Sequence, residues 1–191
     1  EAIASKSQAH RLLICAALSL DPCEIRCDGI SRDIQATVDC LRAMGAGIDF
    51  LPQPSRFQVY RPLPRHLFSP APAVLPCGES GSTLRFLLPV VGALGLSAIF
   101  HMEGRLPGRP LHPLSDVLTA HGMRIQRDGN LLRCEGRLAA GDYSIPGNIS
   151  SQFISGLLFA LPLLEGESRL QVTGEVESAA YISMTAEALR Q

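Results

Sequence analysis

The sequence predicts an α/β domain built from three copies of one βαβαββ unit arranged around buried helices. Three observations carry that prediction. The pattern D-x-L-x-A-x-G-x-x-I runs from Asp39 to Ile48 and again from Asp116 to Ile125, 77 residues later. Three polar, hydroxyl-rich turns each open a run that is apolar nearly all round. Short strand-like pieces separate the helical runs.

Taken in order, Ser5-Lys6-Ser7 opens the first apolar run, which extends through Leu18. A helix apolar on every face belongs in an interior. Glu24–Cys27 reads as a strand. In the next helix Ile34, Val38 and Leu41 share one face, with Gln35, Asp39 and Arg42 opposite. Gly45 suits the left-handed position that ends a helix, Ile48 opens a strand, and Phe57–Tyr60 follows as another. Half of the fourteen prolines lie between 52 and 76, which predicts a rigid connection between the first and second copies.

Gly78-Glu79-Ser80-Gly81-Ser82-Thr83 opens the second interior helix, through Leu94. Strand Ala98–Met102, a helix ending at Gly122, a strand from Ile125 and strand Leu131–Glu135 complete that copy. Gly147-Asn148-Ile149-Ser150-Ser151-Gln152 opens the third interior helix, through Leu164, followed by strand Arg169–Val172. Glu187–Gln191 echoes the repeated pattern and stops before its glycine. The expected organisation is one domain, 1–191, with repeats at about 1–66, 67–138 and 139–191. The first strand of copy one and the last two of copy three have no counterpart, so the domain is expected to be incomplete at both ends.

Composition narrows the function classes. The chain is 46% hydrophobic and 18% charged, as a soluble globular domain is. A net charge of −1 argues against nucleic acid or an anionic membrane as partner, so a bound anion must be met by local groups. The strongest apolar stretches, Leu12–Leu18 and Phe153–Leu164, are too short to span a bilayer, and no signal peptide is recognised. The six cysteines, at 15, 23, 27, 40, 77 and 134, form no paired C-x2-C elements. A reducing cytoplasm is expected, with no disulfide and no metal.

The chemistry is expected at the starts of the interior helices. Their unpaired N–H groups and positive partial charge suit anions. Ser7, Ser82 and Ser150 are read either as ordinary N-caps or as members of a site, and around a pseudo-threefold axis the three starts would converge on one face. Lys6 is the only lysine, against sixteen arginines. A cation at a helix start is unfavourable for the helix itself, which favours a ligand there. Arg11 follows one turn on. Arg85 lies one turn into the second helix, and Arg105 and Arg109 flank a stiff Leu-Pro-Gly loop. The guanidinium fork suits carboxylate and phosphate. Gly78-x-x-Gly81 is neither a Walker nor a Rossmann motif, so ATP and NAD are not expected.

Together these residues resemble the 5-enolpyruvylshikimate-3-phosphate (EPSP) synthase family along nearly the whole chain. Ser5–Arg11 is similar to the family's S-K-S-x-x-H/N-R opening, and Cys77–Phe86 to its G-x-x-G-[ST]-x-x-R segment. Arg105–Pro110 resembles its second arginine loop, Asn148–Phe153 its S-S-Q-[FY] element, and Ser178–Ile182 its S-x-P-Y-[IV] element. Ala4, Ala180 and Phe86 depart from it, standing where relatives usually have proline or glycine, proline, and proline.

The resemblance implies an enolpyruvyl transferase-like "inside-out" α/β domain, the amino-terminal one of two. It also implies transfer of the enolpyruvyl group from phosphoenolpyruvate to the 5-hydroxyl of shikimate 3-phosphate, in aromatic amino-acid biosynthesis, without metal or cofactor. Lys6, Gly81, Arg109 and Gln152 would contact phosphoenolpyruvate, with Lys6 the catalytic contribution from this half. Ser7, Arg11, Ser150, Ser151, Gln152, Ser178 and Tyr181 would hold shikimate 3-phosphate. Asp33 and Arg85 would support the loops, and His10 and Cys77 are left as supporting or structural.

The acid/base groups would come from the other domain, so this piece alone should be inactive. The full enzyme would be a cytoplasmic monomer and a target of glyphosate. Two other readings stay open. One is UDP-N-acetylglucosamine enolpyruvyl transferase, against which Ser7 and the absence of cysteine in 102–112 weigh. The other is a non-catalytic phospho-ligand module.

Overall fold

The computed structural model describes residues 6–27, 29–63 and 71–191. Among these residues nine strands fall into three sheets. Strands β1 (Cys23–Arg26), β2 (Gly47–Pro52) and β3 (Ser55–Arg61) form an antiparallel sheet in the order β1-β3-β2. Strands β4 (Ala73–Gly78), β5 (Ala98–Met102), β6 (Arg124–Asp128) and β7 (Leu131–Glu135) pair in the order β4-β5-β7-β6, with β4 and β5 parallel. Strands β8 (Asp142–Pro146) and β9 (Arg169–Thr173) form a parallel pair.

Each parallel pair needs a crossover, and a helix supplies it. Helix α3 (Gly81–Leu94) joins β4 to β5, and α5 (Ser151–Ala160) joins β8 to β9. Helix α1 (Lys6–Leu18) precedes β1 in the same way. These three are the interior helices. Eleven of the fourteen residues of α3 are buried and seven of the ten of α5, so neither keeps a solvent face. In contrast α4 (Leu114–Ala120) and α6 (Ala179–Ala188) bury two residues each. Helix α2 (Arg32–Ala43) lies between these extremes and packs on β4 and α1. Among the described residues no helix is long and apolar enough to cross a membrane.

The helix stops follow the residues that predict them. Gly45 and Gly122, the glycines of the repeated pattern, take φ of 109° and 110° just after α2 and α4. The start of α3 differs in detail from the serine-cap reading. Ser80, not Ser82, caps it, accepting from the Thr83 N–H at 3.3 Å. Ser150 caps α5, accepting from the Gln152 N–H at 3.3 Å. Two strands were hidden by proline. β4 contains Pro76 and β8 ends on Pro146, and both lie at a sheet edge, where a missing N–H is tolerated. The proline-rich stretch 52–76 thus contains β3 and part of β4, while 64–70 lies outside the described residues.

Helices α3 and α5 pack closely because of two residues. Pro89 has no N–H to offer the Arg85 carbonyl one turn earlier. Gly156 sits against that carbonyl so closely that a Cβ would lie 2.3 Å from its oxygen and 3.1 Å from Pro89 Cγ. Phe86 and Phe159 seal the same interface edge to face at 5.6 Å.

Candidate functional site

The amino ends of α1, α3 and α5 and the first turns of α6 surround one cavity of about 330 Å³. It opens where β4 and β8 hand over to their helices, the usual position of a ligand beside parallel strands. Its walls are Lys6, Ser7, His10 and Arg11 from α1, Ser82 and Phe86 from α3, Ser151 and Gln152 from α5, and Tyr181 from α6.

Six of the sequence-predicted residues therefore line it: Lys6, Ser7, Arg11, Ser151, Gln152 and Tyr181. Gly81 and Arg109 lie next to it, linked through Arg85 and Gln152. Ser150 is occupied as the cap of α5. Ser178 stands ahead of α6 in the left-handed region, φ 57°, and does not line the cavity. Ser5 and Ala4 lie outside the described residues.

Arg11 is the electrostatic centre of the cavity. It is 2% exposed, yet among the described residues no carboxylate pairs with it. Its Nε donates to Thr185 Oγ1 at 2.7 Å, Nη1 to the Ser7 carbonyl at 2.6 Å, and Nη2 to Ser155 Oγ at 3.4 Å. The guanidinium also lies 5.0 Å from the Phe86 ring centre and 5.7 Å from that of Tyr181. Burial lowers its pKa from the ordinary value, but arginine stays charged across the biological range. A buried cation held only by neutral groups is costly, and an anion bound beside it would offset that cost.

A second cationic group adjoins the first. Arg85 Nη1 donates to Gln152 Oε1 at 2.7 Å, so α3 fixes the glutamine that faces the cavity. Its Nη2 donates to the Pro110 carbonyl at 3.4 Å, and its Nε is buried without a partner among the described residues. Burial first, and the neighbouring Arg109 charge second, lower its pKa. Arg109 approaches Gly81 because no side chain stands there; a Cβ on Gly81 would lie 3.1 Å from Arg109 Nη1. Arg127 of β6 holds the arginine loop from outside, donating to the Pro107 carbonyl at 2.7 Å and the Arg109 carbonyl at 3.4 Å. Lys6 is different. Its ammonium is paired with Asp33, in the first turn of α2, and is half exposed.

Sequence reasoning missed a chain of buried hydroxyls behind the cavity. His10 Nδ1 lies 2.7 Å from Thr37 Oγ1, which lies 2.8 Å from Thr83 Oγ1, which donates to Ser80 Oγ at 2.7 Å. This line ties α1, α2 and α3 together. A second knot, Ser155 Oγ with Thr185 Oγ1 at 2.8 Å, ties α5 to α6 around Arg11. The available signal was a threonine or serine inside an otherwise apolar helix, each needing a buried partner. His10 is 1% exposed and its Nε2 has no partner among the described residues. Burial first, then the charges of Lys6 and Arg11, lower its pKa from 6.5 to about 4, so it is neutral near pH 7.

Burial pushes the Cys77 thiol up to about 12, and its Sγ donates to the His101 carbonyl at 3.1 Å, so it serves packing rather than chemistry. The arrangement as a whole is suited to gathering and orienting anionic, hydroxylated ligands. A neutral imidazole and paired or permanently charged cations give it little capacity for general acid–base work at neutral pH.

Comparison with known proteins agrees with that chemistry. The family model described as EPSP synthase (3-phosphoshikimate 1-carboxyvinyltransferase) matches residues 1–191. Among curated relatives, the 3-phosphoshikimate 1-carboxyvinyltransferase of Clostridium kluyveri is 39% identical over 97% of this chain and 43% of its own length. That of Clostridium acetobutylicum is 38% identical over 98% and 44% respectively. The chain thus spans less than half the length of these relatives. Among solved structures, an EPSP synthase from Acinetobacter baumannii superposes with a TM-score of 0.79 at 24% identity, covering 97% of this chain and 41% of that one. The enolpyruvyl transferase NikO from Streptomyces tendae gives 0.62 at 18% identity, covering 96% and 42%, a likeness of fold.

Proposed function

The chain belongs to the EPSP synthase family, and on that premise we propose that it supplies one half of the active site of a 3-phosphoshikimate 1-carboxyvinyltransferase. In this reading residues 1–191 are one of two domains, and each of the three repeats contributes a sheet and one interior helix. Shikimate 3-phosphate enters the cavity with its phosphate toward Ser7, Arg11, Ser151 and Tyr181. Phosphoenolpyruvate lies on the side of Lys6, Gly81, Arg109 and Gln152. Ser150 acts through the cap it gives α5, and Ser178 joins the ligand on closure of the second domain.

The observation that carries the reading is Arg11: a buried guanidinium on a cavity wall with no carboxylate partner among the described residues. In the reaction, the 5-hydroxyl of shikimate 3-phosphate gives up its proton to a base of the other half as its oxygen bonds to C2 of phosphoenolpyruvate and C3 takes a proton. Phosphate then leaves the tetrahedral adduct as the proton at C3 is removed and the double bond reforms. The work of this half is electrostatic. Lys6, Arg109 and Arg85 offset the charges of two phosphates and a carboxylate brought together, and Gln152, fixed by Arg85, sets their spacing. Proton transfer to and from C3 belongs to groups of the other half.

Titration of shikimate 3-phosphate into the full-length protein by calorimetry, with and without phosphoenolpyruvate, tests this. Binding in both cases and phosphate release only with both substrates is the expected result. A protein that binds neither substrate refutes it.

A further inference from the structure

Thr185 lies within α6, fully buried, and its hydroxyl serves three partners. A hydroxyl has one hydrogen and two lone pairs. The hydrogen goes to the Tyr181 carbonyl, one turn back at 3.0 Å, so both lone pairs accept: one from Arg11 Nε at 2.7 Å, the other from Ser155 Oγ at 2.8 Å. Ser155 has then given its own hydrogen and can only accept from Arg11 Nη2, 3.4 Å away. Every hydrogen of the hub has a place, and both hydroxyls turn lone pairs toward the guanidinium.

Nε and Nη2 lie along one edge of the planar group, so the two oxygens hold Arg11 side-on and fix its rotation in the plane. The rings of Phe86 and Tyr181, centred 5.0 and 5.7 Å from Cζ, restrain its tilt. With Nη1 bonded to the Ser7 carbonyl, three of the five guanidinium N–H groups are engaged among the described residues, and two remain for an anion. The same hydroxyl locates α6. That helix buries only Thr185 and Ala188, and its first turn brings Tyr181, 45% exposed, to the cavity wall.

We infer that Thr185 is a positioning residue for shikimate 3-phosphate. It does not line the cavity, but from one oxygen atom it sets the angle of the arginine and the place of the tyrosine that do. The inference rests on the reading of Arg11 and Tyr181 as contacts of that ligand. Phosphoenolpyruvate, on the side of Lys6, Gly81, Arg109 and Gln152, meets neither of the groups this hydroxyl holds.

The full-length protein carries the test. Thr185→Val keeps the shape of the side chain and removes the oxygen, whereas Thr185→Ser keeps the oxygen. With the other substrate saturating, Thr185→Val is expected to raise the KM for shikimate 3-phosphate about tenfold and to leave kcat and the KM for phosphoenolpyruvate within about twofold. Calorimetric titration should show the same tenfold loss, and Thr185→Ser should restore affinity to within about twofold of wild type. In an Arg11→Met background, Thr185→Val should weaken shikimate 3-phosphate by no more than about threefold further, because the side chain it orients is gone. Ser155→Ala, which takes a donor and an acceptor from the same hub, is expected to weaken this ligand about threefold. It serves as the test if the valine variant does not fold.

Wild-type affinity in Thr185→Val overturns the inference, and so does an equal loss for both substrates. A tenfold loss that persists in the Arg11→Met background also overturns it, since the threonine would then serve the fold alone. If only Ser155→Ala can be measured, unchanged binding of shikimate 3-phosphate has the same force. A wild-type protein that fails to bind shikimate 3-phosphate sinks instead the underlying reading of the cavity.

Discussion

Replacing Arg11 with methionine should separate binding from stability. The variant loses hydrogen bonds to Thr185, Ser7 and Ser155, worth about 1 kcal/mol each, or about 3 kcal/mol in all. It leaves no orphan. Thr185 and Ser155 still bond to each other at 2.8 Å, Thr185 still donates to the Tyr181 carbonyl at 3.0 Å, and the Ser7 carbonyl keeps its place in the helix ladder. Against that loss stands relief of a buried, uncompensated charge, an effective penalty of several kcal/mol. Methionine also keeps an apolar stem against Phe86.

The two effects nearly cancel, so the unliganded midpoint of thermal unfolding should stay within about 5 °C of wild type, given about 2–4 °C per kcal/mol at this size. Shikimate 3-phosphate should lose two charge-assisted bonds, a weakening of about 100-fold or more. Differential scanning calorimetry and titration of the full-length protein measure both. A midpoint lowered by more than about 10 °C would refute the claim that Arg11 is held ready for a ligand rather than for the fold.

Lys6→Ala should reduce kcat/KM for phosphoenolpyruvate by about 100-fold or more while the unfolding midpoint holds, because its ion pair with Asp33 is half exposed and of little weight in the fold. Arg127→Leu should raise the KM for phosphoenolpyruvate about fivefold and leave shikimate 3-phosphate binding unchanged, since only the loop carrying Arg109 loosens; equal loss for both substrates would contradict it. The pH dependence follows from His10. Its native pKa of about 4 lies below the ordinary 6.5, so between those values the unfolded chain binds the extra proton and stability falls as pH falls. The loss reaches about 3 kcal/mol near pH 4, and urea unfolding of wild type against His10→Phe from pH 7 to 4.5 should show it as a slope that the variant lacks.

Much of the fold was legible because its signals are local. Continuous apolarity marked α1, α3 and α5 as interior, and glycines 45 and 122 marked where helices stop. β4 and β8 were not, since a proline in a short edge strand looks like a connection until the neighbouring strand is known. The same division holds in the site. Lys6, Arg11 and Arg85 could be picked out by residue type and position, and Gln152 only through the family resemblance. The bonds among His10, Thr37, Thr83 and Ser80 join segments up to 46 residues apart in the network, and no pattern within one helix encodes such a pairing. Ser82 and Ser80 show the limit most plainly: two serines, two residues apart, of which backbone geometry alone chose the cap.

Gly156 has no atom in the cavity, yet it acts as the gauge for it. The bare α-carbon lets α5 ride against the Arg85 carbonyl of α3, and one turn earlier on α5 that closeness becomes the reach from Arg85 to Gln152. Any methyl group added there would act as a wedge, parting α3 from α5 and stretching the span between Arg85 and Gln152 from behind, without touching a residue that lines the cavity.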